Sequence, residues 1–221
     1  MTTLLLIPTR AEQDLMGLRE TDGIKVRVCG MGSMASGISA ARWLQEVRPE
    51  FCVLVGLAGT RDETCAPLGG LVVGTAVRNE AVGAGHGADF LPLGEMAPAG
   101  EGGVPDALPL DVPTKWLKVG TRFHAETSGG PAIVAGEIGT VAAASASIEE
   151  ADSWRSRDPA VLVEEMEGYA VGLACREAGV PFSIVRGVSN RAGLRDKTQW
   201  QAVEAVTALR AFLEQALGVL S

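Results

Sequence analysis

The sequence predicts an α/β fold: a single three-layer α/β/α domain over residues 1–221, built around a mixed, largely parallel sheet. Three observations point there. Short apolar, β-branched runs alternate with longer helical patterns, the order that builds parallel sheets with helical crossovers. The runs are apolar almost throughout, as strands covered on both faces must be. No internal repeat, low-complexity tract or linker divides the chain.

Taken in order, Leu4–Ile7 reads as a first strand and Lys25–Cys29 as a second, running into the glycine-rich CGMGSMASG. A helix is expected from Ser33 to Val47, with Leu44 and Val47 on one face and Pro49 as its stop. FCVLVGLAG is a buried strand ending in a small-residue turn, and LGGLVVGTAV is the next strand. From Ala81 to Pro113 the pattern gives way to Gly, Pro and Ala, which reads as a long irregular excursion or a binding loop. Lys115–Val119 fits a strand or a helix end, and PAIVAGEIGTVAAAS is strand-like. VLVE is a strand, and MEGYAVGLACREAG is a helix closed by Gly179. VPFSIVRGVSN is a buried strand, and a final helix from Gln199 repeats Val206, Leu209, Leu213 and Leu217 on one face.

Composition narrows the function classes. At 47% hydrophobic and 21% charged, the chain reads as an ordinary globular protein. A net charge of −8 disfavours nucleic acid and anionic membranes, which need dense cationic surfaces. The opening MTTLLLIPTR lacks the basic start and long apolar run of a signal peptide, so a cytoplasmic location is expected. Cys29, Cys52, Cys65 and Cys175 show no metal-type spacing and read as free thiols. His86 and His124 have no Cys or Asp partners nearby, so neither a metal nor a cofactor is expected.

Four places put polar or flexible residues where a strand ends, the position at which open α/β sheets bind ligands. Glu12 follows the first strand, although a carboxylate there also suits a helix start. Gly56, Ala58 and Gly59 end the third strand without bulk. Glu164, Glu165 and Glu167 surround Met166 at a strand-to-helix junction, and also fit a solvated helix N-terminus. Ser189 and Asn190 follow the apolar run Pro181–Val185, where asparagine also suits a turn. CGMGSM contains only the first half of a dinucleotide fingerprint, with no third glycine and no closing acidic residue.

EEMEGYAVGLACREAGVPFSIVRGVSN resembles the signature of the purine and uridine phosphorylase superfamily, and within it the nucleosidase branch. The likeness extends more weakly to PTRAE, CGMGSMASG and VLVGLAGTRDETCAPLGGLVVG, where Thr60 replaces a family glycine and Leu71 a family acid. SNRAGLRDKTQW is similar to a segment of the futalosine hydrolases of an alternative menaquinone pathway, through Asn190, Arg195, Asp196 and Trp200.

The resemblance implies a nucleoside phosphorylase-type fold and cleavage of the bond between a purine and its ribose. Glu167 matches the carboxylate that accepts from both ribose hydroxyls, a task suited to an acceptor-only group. Met166 matches the residue under the sugar, and Glu165 a supporting group. Glu12 matches the base that activates water, with Asp14 as the fallback. Adenine-specific relatives carry aspartate where this chain has Asn190, an amide that suits a 6-oxopurine such as hypoxanthine. Methylthioadenosine/adenosylhomocysteine nucleosidase and purine nucleoside phosphorylase are the alternatives, with a non-catalytic nucleoside-binding protein as a third. Phosphorolysis needs anion donors near the first strand, where only Arg10 stands. The family's sites commonly lie near a dimer interface, so a homodimer or higher homo-oligomer is expected.

Overall fold

Leu4 and Leu6 pack into one apolar core while Leu5 and Ile7 pack into another, because successive strand side chains point to opposite faces of a sheet. Cys52 and Leu54 divide from Val53 and Val55 in the same way. The computed structural model describes residues 2–96, 105–113, 116 and 131–217. Its elements are β1 (Thr3–Ile7), α1 (Arg10–Met16), β2 (Ile24–Val28), α2 (Ser33–Val47), β3 (Phe51–Thr60) and β4 (Leu71–Glu80). The short β5 (Gly83–Ala84), β6 (Leu91–Pro92), α3 (Leu93–Met96) and β7 (Ala107–Pro109) follow. The rest are β8 (Ile133–Val141), α4 (Ile148–Arg157), β9 (Val161–Glu165), α5 (Gly168–Ala178), β10 (Phe182–Arg191) and α6 (Ala202–Leu217).

The sheet is mixed and largely parallel. Parallel pairs join β1 to β2, β1 to β3, β3 to β10, β4 to β8 and β8 to β9. Antiparallel pairs join β10 to β4, β9 to β3 and β7 to β4. The first half of β3 lies beside β1, whereas Gly59 and Thr60 at its end pair with Glu164 and Val163 of β9. Since β3 also pairs with β10 along its length, strands β3, β10, β4, β8 and β9 close on themselves. The closure brings the ends of β3, β9 and β10 together.

Helices α2 and α5 cover one face, contributing Ala40, Leu44, Val171 and Cys175 to the first core. Helix α6 covers the other with Val206, Leu209, Phe212 and Leu213. Trp116 is fully buried there, edge-on to Phe51 and Phe212 at centroid distances of 6.0 and 5.7 Å. The expected strand or helix end at Lys115–Val119 otherwise falls outside the described residues.

Three differences from the sequence reading have local causes. Helix α1 exists because Thr9 and Glu12 form a capping pair: Glu12 N–H donates to Thr9 Oγ1 at 3.2 Å. Helix α4, which periodicity does not reveal, is capped likewise by Ser147, whose Oγ accepts from Glu150 N–H at 3.3 Å. The last helix begins at Ala202 rather than Gln199, because Asp196 ties residues 197–199 into a separate 3₁₀ turn. The described part of the 81–113 stretch is ordered through pairing of β5 with β6 and of β7 with β4. No described helix is long and apolar enough to cross a membrane.

Candidate active site

One cleft opens where β3, β9 and β10 end. Its lining includes Glu12, Met31, Ala58, Gly59, Glu164, Glu165, Met166, Glu167, Ser189, Asn190, Arg195 and Trp200. Nine of the ten residues singled out at the four strand ends therefore meet in one place, although their positions run from 12 to 190. Gly56 is the exception. A Cβ there would collide with the Arg186 guanidinium and come within 3.0 Å of Glu12 Oε1. Gly56 thus lies behind the cleft and makes room for Arg186, where the sequence reading put it against the ligand.

Glu12 is delivered by the first turn of α1, just past β1. Its Oε1 accepts from Leu57 N–H at 3.0 Å and its Oε2 from Thr9 Oγ1 at 2.6 Å. Two elements thereby fix the carboxylate while each oxygen keeps a lone pair for a further donor. Asp14 is exposed on α1 and does not line the cleft. Arg10 is exposed and donates to Gln13 Oε1 at 2.8 Å, so no early arginine reaches the cleft.

At the junction of β9 and α5 the three glutamates separate by function. Glu165 Oε2 accepts from Glu167 N–H at 3.0 Å and from Gly168 N–H at 2.8 Å, capping α5. It also takes donors from Thr140 Oγ1 and Arg186 Nη2. With both oxygens committed, Glu165 holds the junction rather than offering a free acceptor. Glu167 Oε1 accepts from Gly32 N–H at 2.9 Å and its Oε2 from Arg186 Nη2 at 3.1 Å. Burial raises the Glu167 carboxyl above the usual glutamate range, Arg186 works against that shift, and neighbouring Glu165 adds to it. Ser33 Oγ donates to the Met166 carbonyl at 3.0 Å, so the glycine-rich CGMGSM loop clasps this junction.

Arg186 was named only as part of a motif, yet it is the hub of the site. It is fully buried between Glu165 and Glu167. Its Nε and Nη1 have no hydrogen-bond partner among the described residues.

On the opposite wall, β10 carries a bulge: Val188 pairs with Ala58 but Asn190, not Ser189, pairs with Gly59. Without that extra residue Asn190 would point to the other face. Ser189 Oγ donates to Asn190 Oδ1 at 2.8 Å, and Asn190 Nδ2 donates to the Arg191 carbonyl at 2.8 Å. One Nδ2 hydrogen remains for the cleft. Trp200 and Arg195 stand at its edge, the Arg195 guanidinium 5.9 Å from the indole centroid.

Among the described residues no group of His, Cys, Asp and Glu could hold a metal. His86 meets Glu150 Oε1 at 2.9 Å and stacks edge-on against Trp154, away from the cleft. His124 lies outside the described residues. Cys29, Cys52 and Cys175 are buried and Cys65 is exposed, all as free thiols. Burial pushes the Cys29 thiol up to about 12.

Carboxylates and an amide converge where three strands end, and comparison with known proteins identifies the family. The phosphorylase superfamily model matches residues 20–219, and the chain belongs to that superfamily. It is similar to the futalosine hydrolase of Thermus thermophilus, at 32% identity over 93% of this chain and 91% of the relative. It is equally similar, at 32% identity, to the futalosine hydrolase of Acidothermus cellulolyticus, over 89% of this chain and 76% of that one. The solved futalosine hydrolase of Helicobacter pylori shares the fold, with a TM-score of 0.76 at 16% identity over 100% of this chain and 98% of that chain.

Proposed function

We propose that the protein hydrolyses the N-ribosidic bond of futalosine, releasing hypoxanthine, as a step of menaquinone biosynthesis. The observation that carries the reading is the convergence of Glu12, Glu167 and Asn190 on one cleft, supported by the 32% identity to futalosine hydrolases. As the bond between C1′ and the purine nitrogen lengthens, its electron pair goes to the base and positive charge grows on the ribose. Glu167 accepts from the 2′- and 3′-hydroxyls and faces that charge. Met166 packs under the sugar. Water forms the new bond to C1′ and gives its proton to Glu12. Arg186, paired with Glu165 and Glu167 behind the cleft, holds the Glu167 carboxylate in place. Asn190 donates to the base, which takes its proton from solvent.

Water rather than phosphate is the nucleophile. The cleft lining carries four glutamates, Glu12, Glu164, Glu165 and Glu167, a poor setting for a phosphate dianion. The protein works in the cytoplasm as a homo-oligomer. Met31, just before α2, and Met34 and Ile38, within it, stand 64, 86 and 75% exposed, an apolar strip that a second copy would cover. Met31 also lines the cleft.

Incubation of the pure protein with futalosine, inosine and methylthioadenosine, with and without phosphate, tests the reading by chromatography. Hypoxanthine release from futalosine without phosphate is expected. Faster cleavage of methylthioadenosine would favour the adenine-nucleosidase alternative, and phosphate dependence would make the protein a phosphorylase.

A further inference from the structure

Glu164 is a cleft carboxylate that the reaction above does not use. It is 5% exposed. Its Oε1 accepts from Ser145 N–H at 2.9 Å, its Oε2 accepts from Ser145 Oγ at 2.8 Å, and Arg61 Nη2 lies 3.5 Å away. Arg61 does not require it. That guanidinium is already held by Glu80 in a two-pronged pair at 3.0 and 2.7 Å. A second buried carboxylate is surplus to the charge it faces, and surplus buried charge is costly unless something further binds it. Two hydrogen bonds and one longer ion-pair contact leave at least about one of the four acceptor positions of a carboxylate open.

Register says what that position faces. Glu164 on β9 pairs with Gly59 on β3, and Gly59 pairs with Asn190 on β10. Paired residues share a face, so Glu164 and Asn190 flank Gly59 from either side, their Cα atoms roughly 10 Å apart by strand spacing. A side chain at Gly59 would obstruct the interval, its Cβ coming within 3.3 Å of Asn190 Nδ2. A flat ring over Gly59 thus meets a hydrogen-bond donor on one wall and an acceptor on the other.

We infer that Glu164 is a specificity-determining residue, accepting the N1–H of a 6-oxopurine while Asn190 donates to O6 or N7 of the same ring. The inference rests on the purine-nucleosidase reading and deepens it. A 6-oxopurine carries a donor at N1 beside an acceptor at O6. A 6-aminopurine reverses both, setting its N1 lone pair against the Glu164 carboxylate and its amino group against the Asn190 amide. The contact at Glu164 then becomes repulsive and leaves the carboxylate unpaired, and the contact at Asn190 does so where it is made to O6.

The test compares futalosine with its 6-amino counterpart, which has the same sugar and tail. In Glu164→Ala, where water can take over the Ser145 N–H, kcat/KM for futalosine should fall by about ten- to a hundredfold. The value for the amino compound should hold or rise. An equal fall for both substrates would mean a structural role and would overturn the inference. The unaltered protein gives a second measurement that needs neither turnover nor a foldable variant. By calorimetric titration, hypoxanthine should bind at least about tenfold tighter than 1-methylhypoxanthine or adenine, since both lack the N1–H donor. Equal affinities would overturn Glu164 as the reader of the base. Failure to cleave any nucleoside, with hypoxanthine preference intact, would overturn the hydrolase reading and leave this one standing.

Discussion

Arg186 donates from Nη2 to Glu167 Oε2 at 3.1 Å, yet Glu167 still holds its proton more tightly than an ordinary glutamate. Desolvation outweighs the guanidinium because Arg186 is shared with Glu165, whose own charge pushes the Glu167 carboxyl further up. The site therefore keeps a carboxylate that is costly to ionise, facing the place where positive charge develops.

Activity should consequently fail on the acid side at a pH above the usual glutamate range, because Glu167 must be ionised to accept from both ribose hydroxyls. The sign for stability is the reverse. A carboxyl whose folded pKa is raised stabilises the fold below its unfolded pKa, and that contribution is lost as pH rises through the raised value. A pH profile of kcat/KM checks the first statement. An acid limb at the ordinary glutamate position would remove Glu167 from the ionised role.

Glu167→Gln should keep the fold, since an amide oxygen can still accept from Gly32 N–H, while losing the charge. A fall in kcat/KM of more than about tenfold, equivalent to ~1.4 kcal/mol, is expected, with an unchanged melting temperature within a few degrees. Steady-state kinetics beside thermal unfolding separates the two.

Glu12→Gln retains an oxygen for Leu57 N–H and removes the ability to take a proton. It should lower kcat by about a hundredfold or more while KM stays within a few-fold, because proton removal belongs to the chemical step. A rise in KM with kcat intact would move the base away from Glu12. Asp14, exposed outside the cleft, would not be its replacement.

How much of this was legible in the sequence differs by residue, for physical reasons. The layers followed from apolar periodicity, which is local: Leu4 to Ile7 divide between two cores as a strand must. Glu165, Met166 and Glu167 stood out because a charged cluster at a strand-to-helix junction is a contiguous signal. The capping pairs at Thr9–Glu12 and Ser147–Glu150 were present too, and reading them would have found α1 and α4. The closure of the sheet was not legible, because pairing of β9 with the last two residues of β3 is set by tertiary contact. Nor was the bulge at Ser189, which decides the face on which Asn190 emerges. Gly56 read as a ligand-facing glycine because nothing local announces that Arg186, 130 residues later, packs over it.

Gly59→Ala should weaken base binding as well as the fold. The added Cβ would lie 3.3 Å from Asn190 Nδ2 and 3.2 Å from Ala192 Cα, tight contacts that small shifts relieve. It would also occupy the interval between Glu164 and Asn190. KM for futalosine should rise at least about fivefold with kcat less affected, and stability should drop by about 1–3 kcal/mol, the range for overpacking. A loss of stability with KM unchanged would place the base elsewhere in the cleft.

Asn190→Asp should weaken the preference for hypoxanthine and raise cleavage of adenine nucleosides. In the present chain Asn190 Oδ1 accepts from Ser189 Oγ and Nδ2 donates to the Arg191 carbonyl, which fixes the amide and leaves one hydrogen toward the ring. An aspartate in that position sets one carboxyl oxygen against the Arg191 carbonyl and the other against Ser189. Its ionised form would repel both that carbonyl and O6 of hypoxanthine, so the buried group favours the protonated form. A protonated carboxyl can donate to N7 of adenine, whose departure then leaves a neutral base. The hydrogen bond exchanged is worth about 1–3 kcal/mol in a buried pocket, so the ratio of kcat/KM between the two nucleosides should shift by roughly tenfold or more. The adenine activity should also fall with rising pH, since it depends on that proton. Parallel kinetics on futalosine and its 6-amino counterpart across pH checks both statements, and an unchanged ratio would show that Asn190 does not contact the base.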